Sequence, residues 1–340
     1  MSLCDLNDEV EFRNKVTIIT FLCSILVIWI HARNLEVYAI DETAVGFGKI
    51  VFDIEDIWGN LTVVAVPIFF FVSGYLFYRT FSIQRINEKY KSRVFSILVP
   101  YLIWCTIYYL YYFVLTNTPI LSNVVNTEKV TLSLMGWLEA LWPNEYYTLW
   151  FLKEIIIYIV ASPIIFLLLN NKYTGSIIIL LLVMNAQFGI FSVPLAGYAY
   201  YAFGAYFALN FKGKEFVKNN CLTVVGIFSI LVMLCTRFTI LESPIIRLLF
   251  VFMLWFALDI FPLRRELPWW MKITFFTYVS HDIFLEAYEK IVLVVFGKHV
   301  IFALLDYIFA PLLVVATLII IAKFLRRFAP TVWKVCTGNR

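Results

Sequence analysis

Of 340 residues, 62% are hydrophobic and only 15% are charged. A water-soluble domain is nearer half apolar and a quarter charged, so a soluble fold is excluded. The apolar excess runs along nearly the whole chain, which argues for one membrane-embedded domain over residues 1–340, and the net charge of +4 says less than where the charges lie.

The first residues include Asp5, Asp8, Glu9 and Glu11 instead of a basic segment, and no small-residue cleavage site follows the first apolar run. That run is expected to stay as an anchor and not to be removed as a signal. A membrane-crossing helix needs roughly 20 apolar residues. Candidate spans lie at residues 16–34, 61–78, 94–115, 149–169, 174–193, 197–211, 221–236, 243–261, 272–296 and 301–323, the sixth and seventh being short. The expected fold class is all-α, a polytopic integral membrane bundle of about ten transmembrane helices. Residues 132–142, with Trp137 and Trp142, are too few to span and read as a helix lying in the outer interface.

The basic residues orient this bundle, because cytoplasmic loops collect lysine and arginine. With both termini cytoplasmic, the inner side holds Arg13 and Lys15; Arg79, Arg85, Lys89, Lys91 and Arg93; Lys172; Lys212, Lys214 and Lys218; Arg264, Arg265 and Lys272; and Lys323, Arg326, Arg327, Lys334 and Arg340. The outer side keeps only Arg33, Lys49, Lys129, Arg237 and Lys298. The first outer connection is acidic, with Glu36, Asp41, Glu42, Asp53, Glu55 and Asp56, and reads either as a solvated loop or as a lid over an outer pocket.

Ionisable groups inside spans are costly unless they face a partner or a wet cavity, so each is a functional candidate. His31 ends the first span, Lys153 and Glu154 follow Trp150 in the fourth, and Arg247 enters the eighth. The ninth carries His281, Asp282, Glu286, Glu289 and Lys290, with 282, 286 and 290 on one helical face. Asp306 opens the tenth, and Asp259 reads as a helix-end carboxylate at the inner interface. The alternatives are a convergent polar pocket opening outward and a set of structural ion pairs such as Glu286 with Lys290. Imidazole at His31 suits proton transfer near neutral pH. Six scattered cysteines and three distant histidines give no metal-ligand spacing, and no metal site is expected. The cationic run from Arg79 to Arg93 serves topology, and it also offers charge-assisted donors for phosphate oxygens.

Several strings resemble the membrane acyltransferase 3 family, the polytopic O-acyltransferases of surface glycans and lipids. His31 closes ILVIWIHA. PIFFFVSGYLF at Pro67–Phe77 is similar to the family's aromatic SG motif, and KSRVFSILVPYLIW at Lys91–Trp104 to its basic stretch leading into Pro-Tyr. LWFLKEIIIYIVASPI at Leu149–Ile164, FGAYFA at Phe203–Ala208 and FFTYVSHDIFL at Phe275–Leu285 follow in family order. One position departs: where the family often has Arg or Lys eleven residues before the histidine, Thr20 stands here. The resemblance implies an acyl-CoA-dependent transferase of groups other than amino-acyl groups, in the inner membrane and with no tightly bound cofactor. Acetyl-CoA would be the co-substrate, and the acceptor a hydroxyl of a surface polysaccharide or glycolipid. It further implies His31 as general base, with Glu154, Asp282 or Glu286 orienting it. Lys153, Trp150, Arg247 and His281 would line the substrate site, and Arg79, Arg85, Lys89, Lys91 and Arg93 would hold the CoA phosphates. The bilayer, acyl-CoA and the glycan are the expected partners, and nucleic acid is not. The competing reading is an exporter of a glycan, lipid or acyl compound, which ten helices with intramembrane charges also fit.

Overall fold

The computed structural model describes residues 3–118, 129–142, 147–193, 195–211, 220–261, 263 and 265–339. Lys212, Lys214, Lys218, Arg264 and Arg340 of the inner basic set lie outside them. Among the described residues the chain is helical with no strand. The α-helices are α1 (Leu3–His31), α2 (Phe47–Thr62), α3 (Ala65–Tyr78), α4 (Ile86–Arg93), α5 (Val99–Asn117), α6 (Leu134–Leu141), α7 (Trp150–Val160), α8 (Ser162–Leu169), α9 (Lys172–Phe188), α10 (Tyr198–Asn210), α11 (Asn220–Cys235), α12 (Pro244–Ala257), α13 (Thr274–Phe296), α14 (Val300–Phe328) and α15 (Pro330–Thr337). Among the described residues four helical runs are long and apolar enough to cross a bilayer, Asp8–His31, Phe47–Tyr78, Ile83–Asn117 and Val300–Phe328, with a fifth if α7 and α8, bent by 67°, form one span. The remaining expected spans are helical but shorter or more polar. Cys23, Cys105, Cys221, Cys235 and Cys336 are in no disulfide.

Two departures concern segments that read as loops. The acidic connection contains α2, whose buried side chains Val51, Glu55, Gly59 and Thr62 recur at helical spacing, so one face turns inward while Asp53 and Asp56 stay on the other faces. The basic run from Arg85 to Arg93 is likewise helical, and it continues through a π-helical turn at Val94–Leu98 into α5.

The chain forms two compact units. The first comprises Met1–Gln84 and Ala161–Thr274, the second Arg85–Val160 and Phe275–Arg340. The first unit is built on close approach of α3 and α10. A methyl added at Gly74 would lie 2.2 Å from the Tyr201 carbonyl oxygen, and one at Gly204 would lie 2.1 Å from that of Phe71. Only glycine lets the two backbones meet this way, as small residues do between membrane helices. Aromatic rings then fill the flanks: Phe71 packs on Phe203 at 5.8 Å and edge-on against Phe252 at 5.5 Å. α11 and α12 repeat the device, with Gly226 against the backbone of Met253 and Ala257.

The second unit is tied by polar groups at the ends of aromatic side chains, the arrangement that lets Tyr and Trp be buried. Tyr101 donates to the Leu141 carbonyl at 2.7 Å, Trp104 Nε1 to Cys336 at 3.0 Å, and Trp137 Nε1 to Thr106 Oγ1 at 3.0 Å. The short helix expected near residues 132–142 is α6, capped by Ser133, whose Oγ accepts the Gly136 N–H at 2.9 Å. Leu134, Met135 and Trp142 are exposed on it, as suits a helix in the headgroup layer.

Gly74→Ala and Gly204→Ala are each expected to lower stability by about 1–3 kcal/mol or more, because the added methyl meets backbone and not a movable side chain. Thermal unfolding in detergent should show this loss, while Gly48→Ala, in a looser setting, should change little.

Candidate active site

His31 is the last residue of α1 and is half-buried. The chain beyond it is held down by α2. Trp29 and Trp58 meet edge-to-face at 5.8 Å. The Asn34 N–H points to Glu55 Oε2 at 3.4 Å, and the Arg33 guanidinium packs on Gly59, where an added methyl would lie 3.5 Å from its Cζ. Asn34, Tyr38 and Glu55 are all buried, Glu55 with no exposed surface. Glu55 is the residue that sequence reasoning missed, since six acidic residues in one connection looked alike. The available signal was its helical register with Val51, Gly59 and Thr62.

Arg247 belongs to the same unit. Its Nε donates to the Leu241 carbonyl and its Nη2 to that of Glu242 at 3.0 Å. The guanidinium therefore stands at the N-terminus of α12, fixed by the preceding turn.

At the opposite end of α1, Arg79 grips Glu9 through both nitrogens, at 2.5 and 3.3 Å, and its guanidinium lies 4.3 Å from the centre of the Phe12 ring. Arg13 adds a 2.8 Å bond to the same carboxylate. Lys15 forms an ion pair with Asp259, both side chains nearly without exposure, and Lys15 also stands 4.9 Å over the Trp255 ring. Asp259, in the turn that ends α12, is more than a helix-end carboxylate: it is the buried partner of a buried lysine. Beside these pairs lies an apolar cavity of about 60 Å³, lined among others by Phe12, Val16 and Ile19 of α1, Phe71 and Tyr75 of α3, and Trp255 of α12.

The second unit holds the other predicted residues. Glu154 is buried in α7 and accepts from Tyr158 Oη at 2.8 Å. α7 meets α13 through Phe151 and Tyr278, edge-on at 5.5 Å. His281 is fully buried, with Nδ1 facing the carbonyls of Tyr278 at 2.7 Å and Thr277 at 3.2 Å. Carbonyls only accept, so the neutral ring carries its proton on Nδ1. Glu286 pairs with Lys290, as one of the two sequence readings expected. Asp282 and Glu289 lie in the electrostatic field of that pair, and Asp306 of α14 adds to the field at Glu289. Lys153 stands 5.4 Å from the centre of the Trp142 ring, and Trp150 is the first residue of α7.

Of the basic run, Arg85 pairs with Glu88 on an exposed surface, at 2.7 Å, where such a pair contributes little. Lys89 and Arg93 share one face of α4 at i,i+4, with Lys91 exposed on another. Among the described residues no cluster of histidine, cysteine or carboxylates could hold a metal ion.

The acyltransferase 3 family model, described as an acyltransferase domain, matches residues 16–326. The chain belongs to the acyltransferase 3 family. Comparison with curated proteins and with solved structures finds no match. Family membership accounts for the motifs in this acyltransferase 3 chain at the level of structure. The SG glycine is where α3 meets α10, the Pro-Tyr pair starts α5, and the histidine closes α1.

Breaking the Lys15–Asp259 pair leaves one charge buried without its partner. Lys15→Met or Asp259→Leu alone is expected to cost about 3–5 kcal/mol, and the double variant should recover most of it. Thermal unfolding of the three proteins checks the cycle; equal losses in single and double variants would contradict it.

Proposed function

We propose that this acyltransferase is a multi-pass inner-membrane enzyme that moves an acyl group, most simply acetyl, from acyl-CoA to a hydroxyl of a surface polysaccharide or glycolipid. The observation that supports it most is a histidine placed as the last residue of an apolar spanning helix in a chain of this family. The proposed topology has ten crossings with both termini cytoplasmic, which sets His31 near the outer surface and the Arg79–Arg93 segment at the inner one. Lys89, Lys91 and Arg93 would meet the CoA phosphates, and Arg85 would join them by exchanging Glu88 for phosphate. Arg79, already engaged with Glu9 and Phe12, would do so only by giving up that pair.

In the reaction, His31 removes the acceptor hydroxyl proton as the oxygen attacks the thioester carbonyl. The new C–O bond gives a tetrahedral oxyanion, for which Lys153 or Arg247 supplies positive charge. Collapse breaks the C–S bond, and the imidazolium returns its proton to the departing thiolate, so ester and free CoA leave. Glu154, Asp282 and Glu286 are the carboxylates the family resemblance offers for orienting the imidazole, and Trp150 and His281 would line the substrate site. The apolar cavity beside Phe12 and Trp255, about 60 Å³, gives room for a small apolar group such as an acetyl methyl beside α1.

His31→Gln is expected to lower thiol release from acetyl-CoA in the presence of an acceptor glycan by about a hundred- to ten-thousandfold, with insertion into membranes unchanged. Turnover at the wild-type rate would remove His31 from the chemistry. Coenzyme A, but not its pantetheine fragment, should raise the unfolding temperature of the wild type, and Lys89→Ala with Arg93→Ala should abolish that shift. Equal stabilisation by pantetheine would place the phosphates elsewhere.

A further inference from the structure

We infer that Glu55 is the positioning residue of this transferase, its carboxylate accepting a hydrogen bond from one ring nitrogen of His31 so that the other faces the acceptor hydroxyl. The inference rests on His31 as the base and assigns its partner. Glu55 projects from the inward stripe of α2, the helix packed on the chain where α1 ends, and it has no exposed surface. A carboxylate withdrawn from water needs protein donors. It also stands beside the C-terminal end of α1, where the terminal carbonyls concentrate negative charge, so the position is unfavourable unless donors or a cation compensate. The Asn34 N–H, three residues past His31, is one such donor at 3.4 Å. His31, in the last turn of α1, and Arg33, whose guanidinium packs on Gly59, are the side chains close by in sequence able to supply another, and of the two imidazole is the one that gains its positive charge at the moment of proton transfer.

The surroundings hold this arrangement from both helices. Trp29 and Arg33 stand on either side of His31 and contact Trp58 and Gly59, about one helical turn past Glu55, so the two elements cannot slide past one another without losing both contacts. Asp53 and Asp56 flank Glu55 in sequence but lie outside the buried stripe; Asp53 is half-buried and answers Lys49 at 2.7 Å, and Asp56 is exposed. Glu55 is therefore set apart from its acidic neighbours by burial and by what it touches. Imidazole held by a carboxylate on one nitrogen keeps a single tautomer and gains stabilisation when it becomes imidazolium.

The chain has three histidines, which makes the test direct. In detergent-solubilised full-length protein labelled with ¹⁵N-histidine, the His31 resonances are assigned by their loss in His31→Gln. Glu55→Gln should move at least one His31 ring nitrogen and leave those of His281 and His299 in place. Glu55→Ala should lower kcat by about ten- to a hundredfold, part of the hundred- to ten-thousandfold a positioned base contributes, with KM nearly unchanged. Glu55→Gln should fall between. Unchanged His31 resonances in the isosteric Glu55→Gln protein, at unchanged unfolding temperature, would overturn the inference even if Glu55→Ala unfolds. The resonance measurement needs no turnover. A wild type inactive toward acetyl-CoA therefore counts against the reaction and not against the pairing.

Discussion

A charged or polar side chain inside an apolar helical bundle is tolerated only with a partner, and this constraint organises both ends of α1. At one end Lys15 meets Asp259, Arg79 meets Glu9, and Asn14 Nδ2 donates to the carbonyls of Leu263 and Arg265. At the other, the helix stops at His31 and the chain is folded under α2 by Trp58, Gly59 and Glu55. Between them the face of α1 toward α3 and α12 is hydrocarbon, with Ile19, Cys23 and Val27 in the core cluster. The helix is thus an apolar rod with polar groups at its two tips, and the proposed reaction, whose donor and acceptor arrive from opposite sides, would use both.

The α3–α10 contact gives that rod its support. Because Gly74 and Gly204 let backbones touch, α3 is fixed along its length, and α1 packs on a surface that does not yield. A functional histidine is more precisely held on such a helix than on a loop. The second unit uses a different principle: aromatic hydroxyls and indoles reach backbone carbonyls, and on α13 Glu286 pairs with Lys290.

Much of this was legible in the sequence. Hydropathy located most of the helices. The Glu286–Lys290 pair followed from i,i+4 spacing. What was not legible depended on distant residues or on register. Asp259 finds Lys15 across most of the chain, so its local sequence shows only an acid near a helix end. The connection after His31 looked like a loop because its acidic residues mask a stripe in which a glutamate takes an inward position. The Arg85–Arg93 run looked like a loop because its charges prevent burial, yet a helix that exposes most of its side chains needs no apolar stripe when it continues into α5.

The central claim is transfer of an acyl group across the bilayer through His31. Sealed vesicles carrying the protein in one orientation, with radiolabelled acetyl-CoA on the side of the Arg79–Arg93 segment and acceptor glycan confined to the other, test it most directly. The account predicts label on the glycan, absent with His31→Gln. Label that appears only when donor and acceptor share a compartment would contradict it.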